Sequence, residues 1–168
     1  MNFFKKVSVV LFVSVIGFIS GCKLGCKKSE MQEKKPSLVI MNVLDKNLYD
    51  NCHIKGSVSV PFSDVEQYAK DLDKDTHVVT YCANYQCSAS GESARKLTQM
   101  GFKNVSAYEA GIVEWKQSGL PVEGPCAVEG ESSYLVAANE KPEKFEEGVN
   151  VITTEELKSK MMDAGLLS

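Results

Sequence analysis

Apolar and polar positions along this chain form short runs whose period switches between that of a strand and that of a helix. Ser37-Leu38-Val39-Ile40-Met41-Asn42-Val43 is apolar and β-branched and predicts a buried strand. Val58-Ser59-Val60-Pro61 predicts a second strand, stopped by its proline. Ser63-Asp64-Val65-Glu66 has the form of a capping box and predicts a helix through about Leu72. Thr76 to Tyr81 predicts a third strand, which delivers the chain directly to Cys82. From Ser88 to Met100, small and apolar residues at Ala89, Ser93, Ala94, Leu97 and Met100 recur at helical spacing, with Gly101 as the stop. Asn104 to Tyr108 reads as a strand, and Gly111 to Ser118 as a short helix with Ile112 and Trp115 on one face. Alternation of this kind implies an α/β fold with a parallel sheet, in which ligand chemistry sits beyond the carboxyl ends of the strands. Cys82 is placed at such an end.

The two ends of the chain read differently. Lys5 and Lys6 precede Val7 to Ile19, thirteen nearly uninterrupted apolar residues. A membrane span needs about 20, so the run fits the core of a secretory signal peptide, residues 1–21. It closes on Ile19-Ser20-Gly21-Cys22, which resembles the bacterial lipobox. That resemblance implies lipidation of Cys22 and an exported protein anchored by its lipid to a bacterial membrane, on the periplasmic side or at the cell surface. Simple cleavage near Gly21 is the alternative. Residues 22–36 are rich in Lys, Glu, Gln and Ser, cannot build a core, and read as a tether. Residues 37–125 form the domain. Residues 126–168 form a small C-terminal extension with a candidate strand over Ser132 to Asn139, a charged loop, and a capped helix starting at Thr153 or Thr154.

A net charge of -3 with scattered basic residues argues against nucleic-acid binding, which needs a concentrated basic face. Cysteine chemistry is the stronger signal. The stretch Tyr81-Cys82-Ala83-Asn84-Tyr85-Gln86-Cys87-Ser88-Ala89-Ser90 reads as strand, tight loop and first helical turn, with Cys82 opening the loop. Free amides of such a loop and of a helix N-terminus attract an anion and lower a thiol pKa from about 8.5. Ala83, Asn84, Tyr85, Gln86, Cys87 and Ser88 are therefore expected to cradle a thiolate, a persulfide or an anionic substrate at Cys82.

At this point the chain resembles the rhodanese-like family, whose loop begins with a persulfide-forming cysteine. The resemblance extends to Asn42-Val43-Leu44, Cys52-His53-Ile54-Lys55-Gly56-Ser57, Val60-Pro61, Gly101-Phe102, Ala110-Gly111-Ile112 and Gly119-Leu120-Pro121-Val122. It implies a rhodanese-like parallel sheet with helices on both faces. It also implies a sulfurtransferase that carries a persulfide on Cys82 and passes sulfane sulfur from a small donor to a small-molecule or protein thiol, with no cofactor and no metal. Several positions depart from the family pattern. Cys87 stands where many sulfurtransferases carry the arginine that closes the loop, which weakens the case for thiosulfate. Asn42 and Leu44 replace a charge pair. Ser88 occupies the arginine position required by phosphatases of the same fold, so phosphatase activity is discounted. Cys87 also opens a thiol-disulfide reading in which it resolves Cys82, and a third reading is a non-catalytic binding module. Cys52 and Cys126 are candidates for a disulfide whose pairing the sequence leaves open. Cys26 in the tether reads as a second acylation site, a disulfide site or a residue without a role, and the sequence leaves these open. His53 reads as part of a structural turn rather than as a base.

Overall fold

The computed structural model describes residues 38–127, 139–145 and 147–168. The expected signal peptide, the expected lipidation site Cys22, the expected tether and all but the last residue of the candidate strand at 132–139 lie outside the described residues. The elements run β1 (Leu38–Asn42), α1 (Lys46–Asn51), β2 (His53–Ile54), β3 (Val58–Ser59), α2 (Val65–Ala69), β4 (His77–Tyr81), α3 (Ala89–Gln99), β5 (Asn104–Tyr108), α4 (Gly111–Gln117), β6 (Val122–Glu123) and α5 (Thr154–Asp163).

Four strands make a parallel sheet in the order β3-β1-β4-β5. The chain leaves β1 toward β3 on one side and returns to β4 on the other. The carboxyl ends of β1 and β4 therefore flank a switch point, where such sheets leave a crevice. The two-residue side-chain period of a strand divides the core. Leu38, Ile40, Val79, Tyr81 and Tyr108 face one way, with α4 and α5 supplying Ile112, Trp115, Leu157 and Met161. Met41 and Val78 face the other way, against Val65 and Ala69 of α2 and Leu97 of α3. Helices thus cover both faces of the sheet, as the sequence implies. Trp115 is fully buried with its Nε1 donating to Pro121 O at 2.9 Å, so the polar end of this large ring is satisfied.

The start of α2 differs from the expected capping box. Phe62–Asp64 forms a 3-10 turn and Ser63 Oγ donates to the Asp64 carboxylate at 2.9 Å, so Ser63 caps no helix. The box is instead realised in the tail, where Thr153 Oγ1 accepts from Glu156 N and Glu156 Oε2 accepts from Thr153 N. Residues 150–152 run alongside β5, with Ala107 N donating to Asn150 O and Ile152 N to Ala107 O. Helix α5 then buries Leu157 and Met161 in the core it shares with α4.

Cys52 and Cys126 form a disulfide with Cα atoms 5.3 Å apart, joining positions 74 residues apart. It ties the start of β2 to the turn that follows β6, which pairs antiparallel with β2. Replacing both cysteines by alanine is expected to cost about 2–5 kcal/mol of stability through lost restraint on the unfolded chain. Denaturant titration checks this, and an unchanged midpoint would contradict it.

Candidate active site

Five buried residues of β4 and its end, Val78 to Cys82, carry the chain into the crevice. Thr80 Oγ1 donates to Ser90 O at 2.8 Å, drawing the start of α3 back against the strand that leads to the loop. Tyr81 is buried with its hydroxyl accepting from Ile54 N at 3.0 Å and sharing a hydrogen bond with Ser57 Oγ at 2.8 Å. Burial holds its phenol neutral, well above the ordinary tyrosine range, and outweighs the opposing effect of these contacts. The other side of the loop is gripped by α4, where Ile112 N donates to Cys82 O and Val113 N to Ala83 O, both at 3.0 Å. Such close approach requires glycine at Gly111, which has φ +65°. A Cβ there would fall 2.4 Å from Ala83 O and 2.6 Å from Cys82 O.

Cys82 is fully buried, and its sulfur lies 3.1 Å from Cys87 O, 3.8 Å from Asn84 O and 3.3 Å from Ser90 Oγ. Two carbonyl oxygens around a sulfur favour S–H. Cys87 is only half-buried, and its carbonyl oxygen is the one that accepts from the Cys82 thiol. The neighbouring Cys82 side chain, helped by the backbone amides of Ala89 and Ala83 against the opposing effect of burial, brings the Cys87 thiol down to about 6. The Cys87 side chain and burial push the Cys82 thiol up, against the opposing effect of the Ser90 hydroxyl and amide. Of the two thiols, Cys87 is the one shifted toward the thiolate.

Three of the loop amides expected to cradle an anion at Cys82 are engaged within the protein. Tyr85 N donates to Asn139 Oδ1 at 3.1 Å, Gln86 N to Asn84 Oδ1 at 3.2 Å and Cys87 N to Asn84 O at 3.1 Å. The amides of three loop residues are thus engaged by side-chain or main-chain oxygens. Those that meet Cys87, from Ala83 and Ala89, lie at the two ends of the loop. Ser88 directs its hydroxyl to the Glu92 carboxylate at 2.6 Å, outside the pair.

Carboxylates and aromatics border the loop. Burial raises the Glu109 carboxyl, and burial with Glu114 and Glu109 nearby pushes the Tyr85 phenol up to about 12. The Tyr85 ring lies 6.1 Å from that of Phe145. Asn42 is buried with its Oδ1 accepting from Leu44 N at 2.9 Å, while Leu44 packs against the apolar cluster. A turn and an apolar contact thus replace the charge pair of the family pattern. His53 stacks on Tyr49 at 3.8 Å between ring centroids and binds Tyr49 O through Nδ1 at 2.8 Å, in keeping with a structural role. Among the described residues no group of three or more His, Cys, Asp and Glu is disposed to hold a metal ion. Ser90, Glu109, Asn139 and Phe145 were not singled out from the sequence. Ser90 lies within the loop-to-helix stretch, whereas Asn139 and Phe145 reach the site from more than fifty positions away.

The molecule is thus a parallel α/β sheet with a buried cysteine at the carboxyl end of a central strand and a second cysteine within its loop. The Rhodanese-like domain model matches residues 27–118, more than half of the chain, and the chain belongs to that family. It is 31% identical over 83 residues to the thiosulfate sulfurtransferase GlpE of Coxiella burnetii, covering 49% of this chain and 76% of that protein. It is also 30% identical over 79 residues to the putative sulfur carrier protein YrkF of Bacillus subtilis, covering 47% of this chain and 42% of that one. Among solved structures, the BH2092 protein of Bacillus halodurans superposes with a TM-score of 0.50 at 31% identity, over 53% of this chain and 65% of that chain. The rhodanese-like domain of the Anabaena protein Alr3790 gives a TM-score of 0.50 at 26% identity, over 66% and 86% of the two chains.

Proposed function

We propose that this protein is a sulfurtransferase in which Cys82 carries sulfane sulfur as a persulfide and Cys87 is its proton acceptor. The observation that carries this reading is the buried Cys82 thiol at the end of β4, which donates to Cys87 O at 3.1 Å and so sits against the residue whose own thiol is shifted toward the thiolate. As Cys82 attacks the outer sulfur of a donor, its proton passes to Cys87. The new sulfur–sulfur bond forms as the donor's own breaks, and the leaving group departs with the electron pair. With thiosulfate that group would be sulfite. An acceptor thiolate then attacks the outer sulfur of the Cys82 persulfide, leaves with it, and returns Cys82 as thiolate, which recovers its proton from Cys87. Relatives named as a thiosulfate sulfurtransferase and a putative sulfur carrier support this class of reaction. The missing loop arginine weighs against thiosulfate as the preferred donor.

The same contact supports a second outcome. Cys87 thiolate attacks the inner sulfur of the Cys82 persulfide, forms a Cys82–Cys87 disulfide and expels hydrosulfide, so that two thiols are oxidised as one sulfane sulfur is reduced. Mass mapping of the two cysteines after exposure to a donor tests both routes.

Export with lipidation at Cys22 belongs to this reading, supported by the lipobox-like ending of the apolar run and by a disulfide of the kind that persists in oxidising compartments. Cys22→Ser is expected to abolish fatty-acid labelling and release the protein from the membrane fraction. Full labelling of that variant would overturn the anchor.

A further inference from the structure

The segment from Asn139 to Phe145 lies beyond residues 27–118, the stretch that matches the family, yet it returns to the reactive loop at three points. The Asn139 side chain uses both ends of its amide. Oδ1 accepts from Tyr85 N at 3.1 Å, and Nδ2 donates to Ala110 O at 3.0 Å. Next to it, Glu140 O accepts from Gln86 Nε2 at 3.3 Å, and Phe145 meets the Tyr85 ring. Ala110 is the residue before α4, whose first amides hold the carbonyls of Cys82 and Ala83. One side chain therefore ties the outer part of the loop to the element that fixes its base. The Tyr85 amide would otherwise face solvent or a bound anion, since its partner is this side chain.

We propose that Asn139 is a positioning residue for the Cys82–Cys87 pair, and that it keeps the loop in the geometry that sets Cys87 beside Cys82, with the Cys82 thiol donating to Cys87 O. It acts through the loop and need not touch substrate. The inference rests on the reading of the two cysteines as the reacting pair. In Asn139→Ala the tie between Tyr85 and Ala110 is lost, so the loop samples conformations in which Cys87 has fewer donors. The pH midpoint for Cys87 thiolate formation is then expected to rise by about one unit, because hydrogen bonds to the charged form are what hold it down. Sulfur uptake below neutral pH is expected to fall by roughly fivefold and to recover at higher pH as the thiolate returns.

The test is the pH profile of iodoacetamide alkylation at Cys87, read by peptide mass spectrometry, in the full soluble chain and in Asn139→Ala. Ile152→Val serves as a control that trims the core beside β5 without touching the loop. A midpoint shifted in Asn139→Ala and unshifted in Ile152→Val is the expected result. Coincident profiles for Asn139→Ala and the parent would overturn the proposal, as would an equal shift in the control, which would mark a general loss of stability. Amide exchange at Tyr85 in the unaltered protein provides a reading that needs no variant. Protection is expected, and exchange at the rate of an open loop would overturn the clamp even if Asn139→Ala failed to fold. A parent protein that takes up no sulfur on either cysteine would instead defeat the sulfurtransferase reading, while the alkylation profile would still report on Asn139.

Discussion

Cys82→Ala is expected to abolish sulfur transfer, lowering it by at least about a thousandfold, because the group that forms the persulfide is removed and Cys87 lies on the outer side of the loop. The fold is expected to survive. Cysteine and alanine are both small, the site is sealed by main-chain contacts from α4, and stability should change by no more than about 1 kcal/mol. Steady-state transfer to a thiol acceptor, measured beside thermal unfolding, separates the three readings. Loss of transfer in a folded variant is the expected result. Retained transfer would remove Cys82 from the chemistry, and an unaltered cellular role in a variant without transfer would identify a binding module.

Cys87→Ser is expected to have the next largest effect, and a different one. The parent's reactivity should rise with pH through about 6, because the Cys87 thiol is depressed to that value and its deprotonation charges the pair. Below that pH both sulfurs are protonated and the pair is inert. Serine cannot ionise in this range, so the midpoint near 6 should vanish. Reactivity at neutral pH should drop by on the order of tenfold and climb only as Cys82, still held up by burial, loses its proton at higher pH. The variant also lacks the thiol that expels hydrosulfide, so a Cys82 persulfide should accumulate where the parent passes on to a disulfide. A parent-like profile in Cys87→Ser, read by stopped-flow alkylation, would show that Cys82 needs no partner.

Much of this was legible in the sequence because it is local. The strand at 77–81 announces itself as a β-branched run, and the helix at 89–99 by its spacing of small and apolar residues. Their junction places Cys82 where a parallel sheet exposes its chemistry. The elements not anticipated are those with little local signal. Helix α1 buries none of its six residues, and β2 and β6 are two residues each, formed only when the chain returns from 122 to 54. The disulfide was open for the same reason, since which cysteines meet depends on that return.

The charge on the site followed a subtler rule. A cysteine opening a loop between strand and helix is expected to collect amides, yet the amides from Tyr85 to Cys87 are spent on Asn139 and Asn84, and the Cys82 sulfur faces carbonyls. Residue type and spacing specify that a thiol sits there. How the loop sets the two thiols against each other depends on its torsions and on Asn139, 54 positions from Tyr85, and no pattern along the chain encodes either.

The most direct test is intact mass spectrometry of the soluble domain before and after a sulfane-sulfur donor and then a reductant, with peptide mapping across Cys82 and Cys87. The expected result is a gain of one sulfur atom located on Cys82 and removed by reductant, followed in the parent by loss of two hydrogens as Cys82 joins Cys87. A protein that gains no sulfur and forms no such link, or one that carries the added sulfur on Cys87 alone, would contradict the assignment of Cys82 as the sulfur carrier.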